Sequence, residues 1–535
     1  MTYAFNRRGL MKIGAAAISA PYLWLPARAE EPAWPTQTVA PFIEVEIASG
    51  RLRGGHSRGA LAFKGIPYAG SVSGANRFKA APPLKPWTGV LDATRLGPPA
   101  IQGPGTTYGE HEPAYSEDCL VLNVWTPAVN DGRKRPVMFF CHGGGFNTGS
   151  GGQNIQDGAR LASLYDVVVV ALNHRLNIFG YLYLAELGGE EYATSGNQGM
   201  LDIVAALGWV QQNIAVFGGD AGNVMVFGES GGGAKTCAVM AMPSAHGLFA
   251  KAGIQSGPMV RGISKEAATE TARRVLAGLG IAPRDFRKLH DVPVDTIIAF
   301  GLAHGGELGN FGPVTDGTYL PRDPFSPDAT PLSATVPLLI GNMRDEATFF
   351  ERDHPEFFHM DDAAVRAVAQ KRFGDAADRM LAVYRQSRPN ATPVERAIAI
   401  ETATQVGNDT VTIADRKSRQ GAPVYRYRND FLSDVPIKGT DWTLRAGHAT
   451  DISVVFDNYE MPDLQGHGPG LAEVSKAVSS YFAGFARDAV PSADGQPAWP
   501  RYETNKRAVM LFNSQCRVTD DPDSEERLYW QSVRN

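Results

Sequence analysis

The chain has 535 residues, 43% hydrophobic and 20% charged, with a formal net charge of -5. That length allows one large domain with insertions or two domains, and the composition excludes a disordered or fibrous chain. A slightly acidic balance with no long basic run excludes an overall pull toward nucleic acid or anionic lipid and points to a small-molecule partner.

In chain order, residues 6 to 12 read N-R-R-G-L-M-K, followed by the apolar stretch I-G-A-A-A-I-S-A-P-Y-L-W-L-P and then A-R-A-E-E, where Ala27 and Ala29 have the spacing of a cleavage site. This reads as a twin-arginine-type export signal over residues 1–29, which places the mature chain in the periplasm or outside the cell. The apolar run is shorter than the ~20 residues of a spanning helix. No cysteine follows the expected cleavage point, which argues against a bacterial lipid anchor, and no later stretch reads as long and apolar enough to span a bilayer. The four cysteines, Cys119, Cys141, Cys237 and Cys516, are scattered and show no C-x-x-C spacing. They read as small buried apolar residues and not as a disulfide framework.

Short strands are predicted at I-E-V-E-I (43 to 47) and G-A-L-A-F-K-G-I-P-Y (59 to 68), separated by glycine turns. The runs L-V-L-N-V-W-T-P, R-P-V-M-F-F-C-H and Y-D-V-V-V-V-A-L-N have the continuous apolar character of strands buried on both faces. An amphipathic helix follows at 200 to 214, then strands at V-M-V-F-G-E-S, A-K-A-G-I-Q-S-G, V-P-L-L-I-G-N, A-P-V-Y-R-Y-R and R-A-V-M-L-F. Helices are predicted at S-K-E-A-A-T-E-T-A-R-R-V-L-A-G-L-G and A-A-V-R-A-V-A-Q-K-R-F-G, each stopped by glycine. Alternating strand and helix imply a mostly parallel sheet flanked by helices. No repeat and no Pro/Gly/Ser linker divides the chain, so residues 30–535 are expected to form one α/β domain, enlarged by helical insertions at about 258–335 and 349–421.

Within V-F-G-E-S-G-G, Gly228, Ser230 and Gly232 satisfy G-x-S-x-G after a strand and before a small-residue helix, the setting of a nucleophile turn. A hydroxyl attacking a carbonyl needs donors for the oxyanion, and H-G-G-G-F (142 to 146) supplies unobstructed backbone amides; Gly144, Gly145 and Gly231 are the expected donors. In this architecture the acid and then the histidine follow the serine, each after a different strand. The acid is Asp345 or Glu346, after V-P-L-L-I-G-N. Of the 11 histidines, His354 and His359 follow too closely to have reached another parallel strand, and His467 sits in the loop Q-G-H-G-P-G. His448 remains. Glu229, beside the serine, reads either as a charge that favours cationic groups or as a group that orients water or bonds backbone.

With these motifs in place the chain resembles the type-B carboxylesterases, the branch of the α/β-hydrolase fold that includes cholinesterases and bacterial para-nitrobenzyl esterases. The likeness runs from about residue 43 to 513 through F-K-G-I-P-Y-A, S-E-D-C-L-V-L-N-V-W-T-P, H-G-G-G-F, N-H-R-L-N-I-F-G-Y-L, G-N-Q-G-M-L-D, F-G-G-D-A-G-N-V and F-G-E-S-G-G. The resemblance selects Glu346 as the acid, through D-E-A where the family has D-E-G, and supports His448, through G-H-A where a glycine usually follows the histidine. Ala347 and Ala449 are therefore departures. The resemblance also implies supporting roles for Ser256 and Asp451. It further implies that Cys119 lacks its usual disulfide partner, because Ala100 stands in the place of the earlier cysteine.

The expected reaction is hydrolysis of small to medium carboxylic esters through an acyl-enzyme, with Ser230 as nucleophile, His448 as base and Glu346 orienting the imidazole. No H-E-x-x-H and no ligand spacing among histidines calls for a metal, and no motif calls for a cofactor. No S-x-x-K begins at Ser230, which argues against a lysine base. The competing expectations are an amidase or carbamate hydrolase using the same residues, and a non-catalytic binding protein on the same scaffold. Oligomeric state is not legible.

Overall fold

The computed structural model describes residues 41–103, 114–461 and 464–534. The predicted export signal at 1–29 lies outside them. The frame is a 13-stranded sheet. Its strands are β1 (Ile43–Ile47), β2 (Gly50–Ser57), β3 (Ala60–Pro67), β4 (Val90–Asp92), β5 (Val121–Thr126), β6 (Arg135–Cys141) and β7 (Val168–Leu172). They continue as β8 (Gly219–Glu229), β9 (Lys251–Gln255), β10 (Leu338–Met343), β11 (Val424–Asn429), β12 (Ala508–Phe512) and β13 (Arg517–Asp520). The order across the sheet is β1-β2-β3-β5-β7-β6-β8-β9-β10-β11-β12-β13, with β4 beside β2. From β7 to β12 every pairing is parallel. Apart from the short β2/β4 pair, the strands outside that block pair antiparallel.

The central strands are buried at every position, as in β6 and β7, because both faces are covered. Alternate side chains of β6 divide between two cores: Val137, Phe139 and Cys141 join one, Met138 and Phe140 the other. The first core is closed by helix Gln198–Asn213 through Met200, Ile203, Leu207 and Val210. Helix Leu471–Asp488 closes the second through Val474, Val478, Phe482 and Phe485. The stretch Gln198–Phe217 is, by length and composition, apolar enough to cross a membrane, which corrects the reading that no such stretch follows the predicted export signal. Its apolar side chains press on the sheet instead.

Strand β2, G-R-L-R-G-G-H-S, was not expected between the glycine turns, since its only bulky apolar residue is Leu52. Leu52 and Gly54 face inward, and the Phe63 ring of β3 lies 2.5 Å from where a Gly54 Cβ would be. The apolar partner of this position is thus supplied by the neighbouring strand.

Segment 258–335 contains helices Lys265–Gly278 and Val294–Leu308, whose Ala272, Val275, Leu276 and Ile297 share a core with Phe78, Ile178 and Phe179. Segment 349–421 contains Asp362–Phe373, Ala377–Ser387, Pro393–Thr402 and Asn408–Ser418. The last of these behaves as a crossover helix: Ile413 and Ala414 pack with Leu338, Ile340 and Val424 of the sheet. All four cysteines are free and buried. Cys119 and Ala100 line the same small cavity.

Candidate active site

Strand β8 ends at Glu229 and helix Gly231–Val239 begins two residues later, so Ser230 carries the whole reversal, at φ 55° and ψ -123°. A side chain at such angles costs of order 1–3 kcal/mol and persists only where the surroundings over-determine it. Here the Ser230 amide donates to the Gln255 carbonyl at 2.8 Å. The neighbouring glycines are required by backbone crowding. A Cβ at Gly231 would strike the Gly145 carbonyl, one at Gly232 the Cys141 carbonyl, and one at Gly257 the Ser230 carbonyl. Gly144 and Gly145 turn back with φ 84° and 62° after β6. Among the described residues, the amides of Gly144, Gly145 and Gly231 donate no hydrogen bond.

His448 Nε2 lies 2.8 Å from Ser230 Oγ, and its Nδ1 lies 2.6 Å from Glu346 Oε2. Because a carboxylate only accepts, Nδ1–H donates to Glu346, and in the neutral imidazole the Ser230 hydroxyl donates to Nε2. Glu346 Oε1 accepts from the Met343 amide at 2.8 Å. Glu346 is fully buried and His448 is 4% exposed, so the relay is shielded from competing water. Asp345, the other acid left open by the sequence, points away. Burial alone would raise its pKa, but Arg344 at 2.8 Å and Arg445 at 3.3 Å hold it below the usual value. His354 is exposed beside Glu356, at 3.3 Å, outside the cluster.

The sequence profile of the carboxylesterase family matches residues 41–530. The chain belongs to the carboxylesterase family. It is 35% identical to the para-nitrobenzyl esterase of Bacillus subtilis (strain 168) over 492 residues, covering 89% of this chain and 96% of that protein. It is 31% identical to the phenmedipham hydrolase of Pseudarthrobacter oxydans, covering 87% and 94% of the two chains. The crystal structure of carboxylesterase EST55 from Geobacillus stearothermophilus superposes with a TM-score of 0.81 at 36% identity, covering 91% of this chain and all of that one. The protein is accordingly a carboxylesterase-family enzyme that acts on esters, on a mostly parallel α/β-hydrolase sheet. The binding-protein alternative falls away.

Around Ser230, His448 and Glu346 lie buried polar groups whose roles the sequence left open. Glu229 is completely buried, and neither carboxylate oxygen has a hydrogen-bond partner among the described residues. It does not bond backbone. One oxygen lies 3.3 Å from His448 Nε2, out of line because that nitrogen is aimed at Ser230. Burial pushes the Glu229 pKa up to about 8 against the pull of His448. For His448, burial opposes the charged form, but Glu229 and Glu346 outweigh it and push the pKa up to about 9. Asp451 Oδ2 accepts from Gln255 Nε2 at 3.2 Å and from the Tyr427 hydroxyl at 3.3 Å, and burial raises its pKa to about 6. Ser256 Oγ has no partner among the described residues. Neither Ser256 nor Asp451 hydrogen-bonds to a member of the triad.

Three features were missed by sequence reasoning. Lys235 is wholly buried on the helix behind Ser230, where Nζ donates to the His142 carbonyl at 2.8 Å; burial lowers its pKa to about 7. The signal was present in G-G-G-A-K-T-C-A, a helix with no polar face on which a lysine could be solvated. The rings of His142 and His174 stack at 4.9 Å, and burial pushes both imidazoles well below their ordinary pKa. Phe350 and Phe349 pack 4.6 and 5.6 Å from the His448 ring. Their aromatic doublet directly follows D-E-A-T in the sequence, but periodicity gives no hint that it faces the histidine.

Proposed function

We propose that Ser230 is the nucleophile, His448 the general base and acid, and Glu346 the group that orients His448 and stabilises its charged form. The observation that carries this reading is the unbroken relay from Ser230 Oγ through His448 to Glu346, at 2.8 and 2.6 Å. His448 Nε2 takes the Ser230 proton as Oγ bonds to the ester carbonyl carbon. The carbonyl oxygen becomes an oxyanion, received by the amides of Gly144, Gly145 and Gly231; losing one such donor costs on the order of 3 kcal/mol of barrier. The tetrahedral intermediate collapses with cleavage of the C–O bond, and the proton on His448 passes to the leaving alcohol. Water then attacks the acyl-enzyme, its proton going to His448 and back to Oγ as the acid departs.

The substrates proposed are small to medium organic esters. The aromatic pair Phe349 and Phe350 beside His448 suits an apolar group, and the relative named para-nitrobenzyl esterase makes such esters the first to try. The test is turnover of esters varied separately in acyl and alcohol parts, with matched amides, using Ser230→Ala as the blank. Ester turnover abolished in the folded variant is expected; full turnover by that variant overturns the assignment. Faster cleavage of the amides would replace ester by amide as the preferred bond. We also propose export to the periplasm or medium, supported by the paired arginines and small-residue site at the N-terminus. Replacing Arg7 and Arg8 by lysine should retain the enzyme in the cytoplasm, and undiminished export would refute this.

A further inference from the structure

On β11, Tyr425 and Tyr427 enter the core beneath helix Leu471–Asp488, so Arg426 and Arg428 leave by the opposite face. They meet a cavity walled by helix Ser524–Arg534 and by the chain around residues 399–411. None of Ser230, Glu346 and His448 lines it. Five arginines and the carboxylates of Asp523 and Glu526 do. Four of the five are matched by acids: Arg344 by Asp345, Arg388 by Glu526, Arg428 by Asp430 and Arg527 by Asp521. Arg426 is not. It is only 6% exposed, Nε and Nη1 have no hydrogen-bond partner, and no carboxylate lies within salt-bridge distance among the described residues. Burial pushes its pKa down, although a guanidinium keeps its proton under any ordinary condition.

A second orphan donor stands at the same cavity. The amide nitrogen of Asn408 is buried without a partner among the described residues. Asn408 follows a π-helical turn, Ala403–Gly407, whose first and last residues line the cavity. Such turns insert an extra residue into a helix and recur at functional sites. A buried, unmatched guanidinium is costly, and leaving it in place without a compensating anion is the arrangement that proteins avoid most consistently.

We propose that this cavity is a binding site for a small oxyanion, a carboxylate or inorganic phosphate, held by the guanidinium of Arg426 with the Asn408 amide as a second donor. Both ligands offer the paired oxygens that a planar guanidinium grips bidentately. The site also adjoins the acid turn, since Thr402 lines the cavity and its hydroxyl accepts from the Ala347 amide at 3.3 Å. The inference does not depend on the reaction proposed for Ser230, because its test reads stability.

Thermal melts of the full-length enzyme would be run in sodium acetate, sodium phosphate and sodium chloride at matched ionic strength. At least one oxyanion should raise the Tm saturably above chloride by about one to two degrees. Acetate alone identifies a carboxylate site, phosphate alone a phosphate site. In Arg426→Met the increment should vanish, while the Tm in chloride should equal or exceed that of the parent, because an unmatched buried charge is gone. Unchanged ester turnover verifies that this variant is folded. Should it not fold, Asn408→Ala carries the test by keeping the charge and raising the half-saturating concentration several-fold. No oxyanion exceeding chloride, or the same increment in parent and both variants, overturns the proposal.

Discussion

The turn that carries Ser230 and the turn that carries His448 both place a non-glycine residue at positive φ, Ser230 at 55° and Ala449 at 66°. Around Ser230 the chain is crowded by its own backbone. Gly231, Gly232 and Gly257 each have a carbonyl where a methyl group would go. Around His448 the demand is different. Gly447 has the Thr348 hydroxyl 2.6 Å and the Leu444 carbonyl 2.7 Å from its virtual Cβ, but at the positive-φ position itself Ala449 fits, 1% exposed within the core beneath helix Leu471–Asp488. Crowding by backbone thus forces glycine absolutely. Positive φ alone only taxes alanine, by roughly 1–2 kcal/mol, and buried contacts offset part of it.

The strongest challenge to this contrast is to empty the second turn of its chemistry while leaving its shape. His448→Ala should lower kcat by on the order of a million-fold, as when a base is removed from a cooperating triad. Steady-state kinetics on a soluble ester would show it, and a loss of tenfold or less, roughly, would mean another base serves. Next comes crowding itself. Gly232→Ala must displace β6 or the helix, and should cost about 3 kcal/mol of stability together with most of the turnover. Denaturant midpoints equal to those of the parent would show that the turn yields.

A subtler test concerns the charge between the turns. Glu229 raises the pKa of His448, so the neutral imidazole needed for attack is lost at higher pH than it would be without that carboxylate. In Glu229→Gln the acid limb of kcat/KM should therefore move to lower pH. A limb that stays, or moves upward, contradicts the 3.3 Å contact as the source of the shift. The smallest effect is expected at Ala449→Gly. Relief of the left-handed strain is opposed by the loss of a buried methyl and by a freer unfolded chain, leaving a net change within about 1 kcal/mol. A loss beyond about 2 kcal/mol would assign packing, not conformation, the leading part at this position.

The sheet was legible where burial on both faces narrows a strand's choice of residue: β6, β7 and β10 are buried at every position and mostly apolar. It was illegible where a strand borrows its apolar surface, as β2 borrows Phe63, or where it is short and half exposed, as in β13. Helix Asn408–Ser418 illustrates another limit. Its periodicity is that of any amphipathic helix, and only the position of Ile413 and Ala414 against the sheet distinguishes a crossover from an insertion. At the site, chain order and motif spacing led to Ser230 and His448, because the architecture fixes which strand end each must follow. Glu346 could not be separated from Asp345 by that logic alone. The separation is electrostatic, since two arginines draw Asp345 outward while Glu346 turns in to the imidazole. The surroundings of Arg426 were beyond reach, because an unmatched cation is defined by what does not pair with it.

The buried, unpaired thiols carry one last consequence. With Cys119 facing Ala100 across a small cavity, and with Cys141, Cys237 and Cys516 also free and buried, no covalent bridge contributes to the fold. Burial also raises the pKa of each of these thiols, leaving little thiolate to react. Maturation thus requires neither a thiol oxidase nor a disulfide isomerase, and the finished shape is indifferent to whether its surroundings are reducing or oxidising.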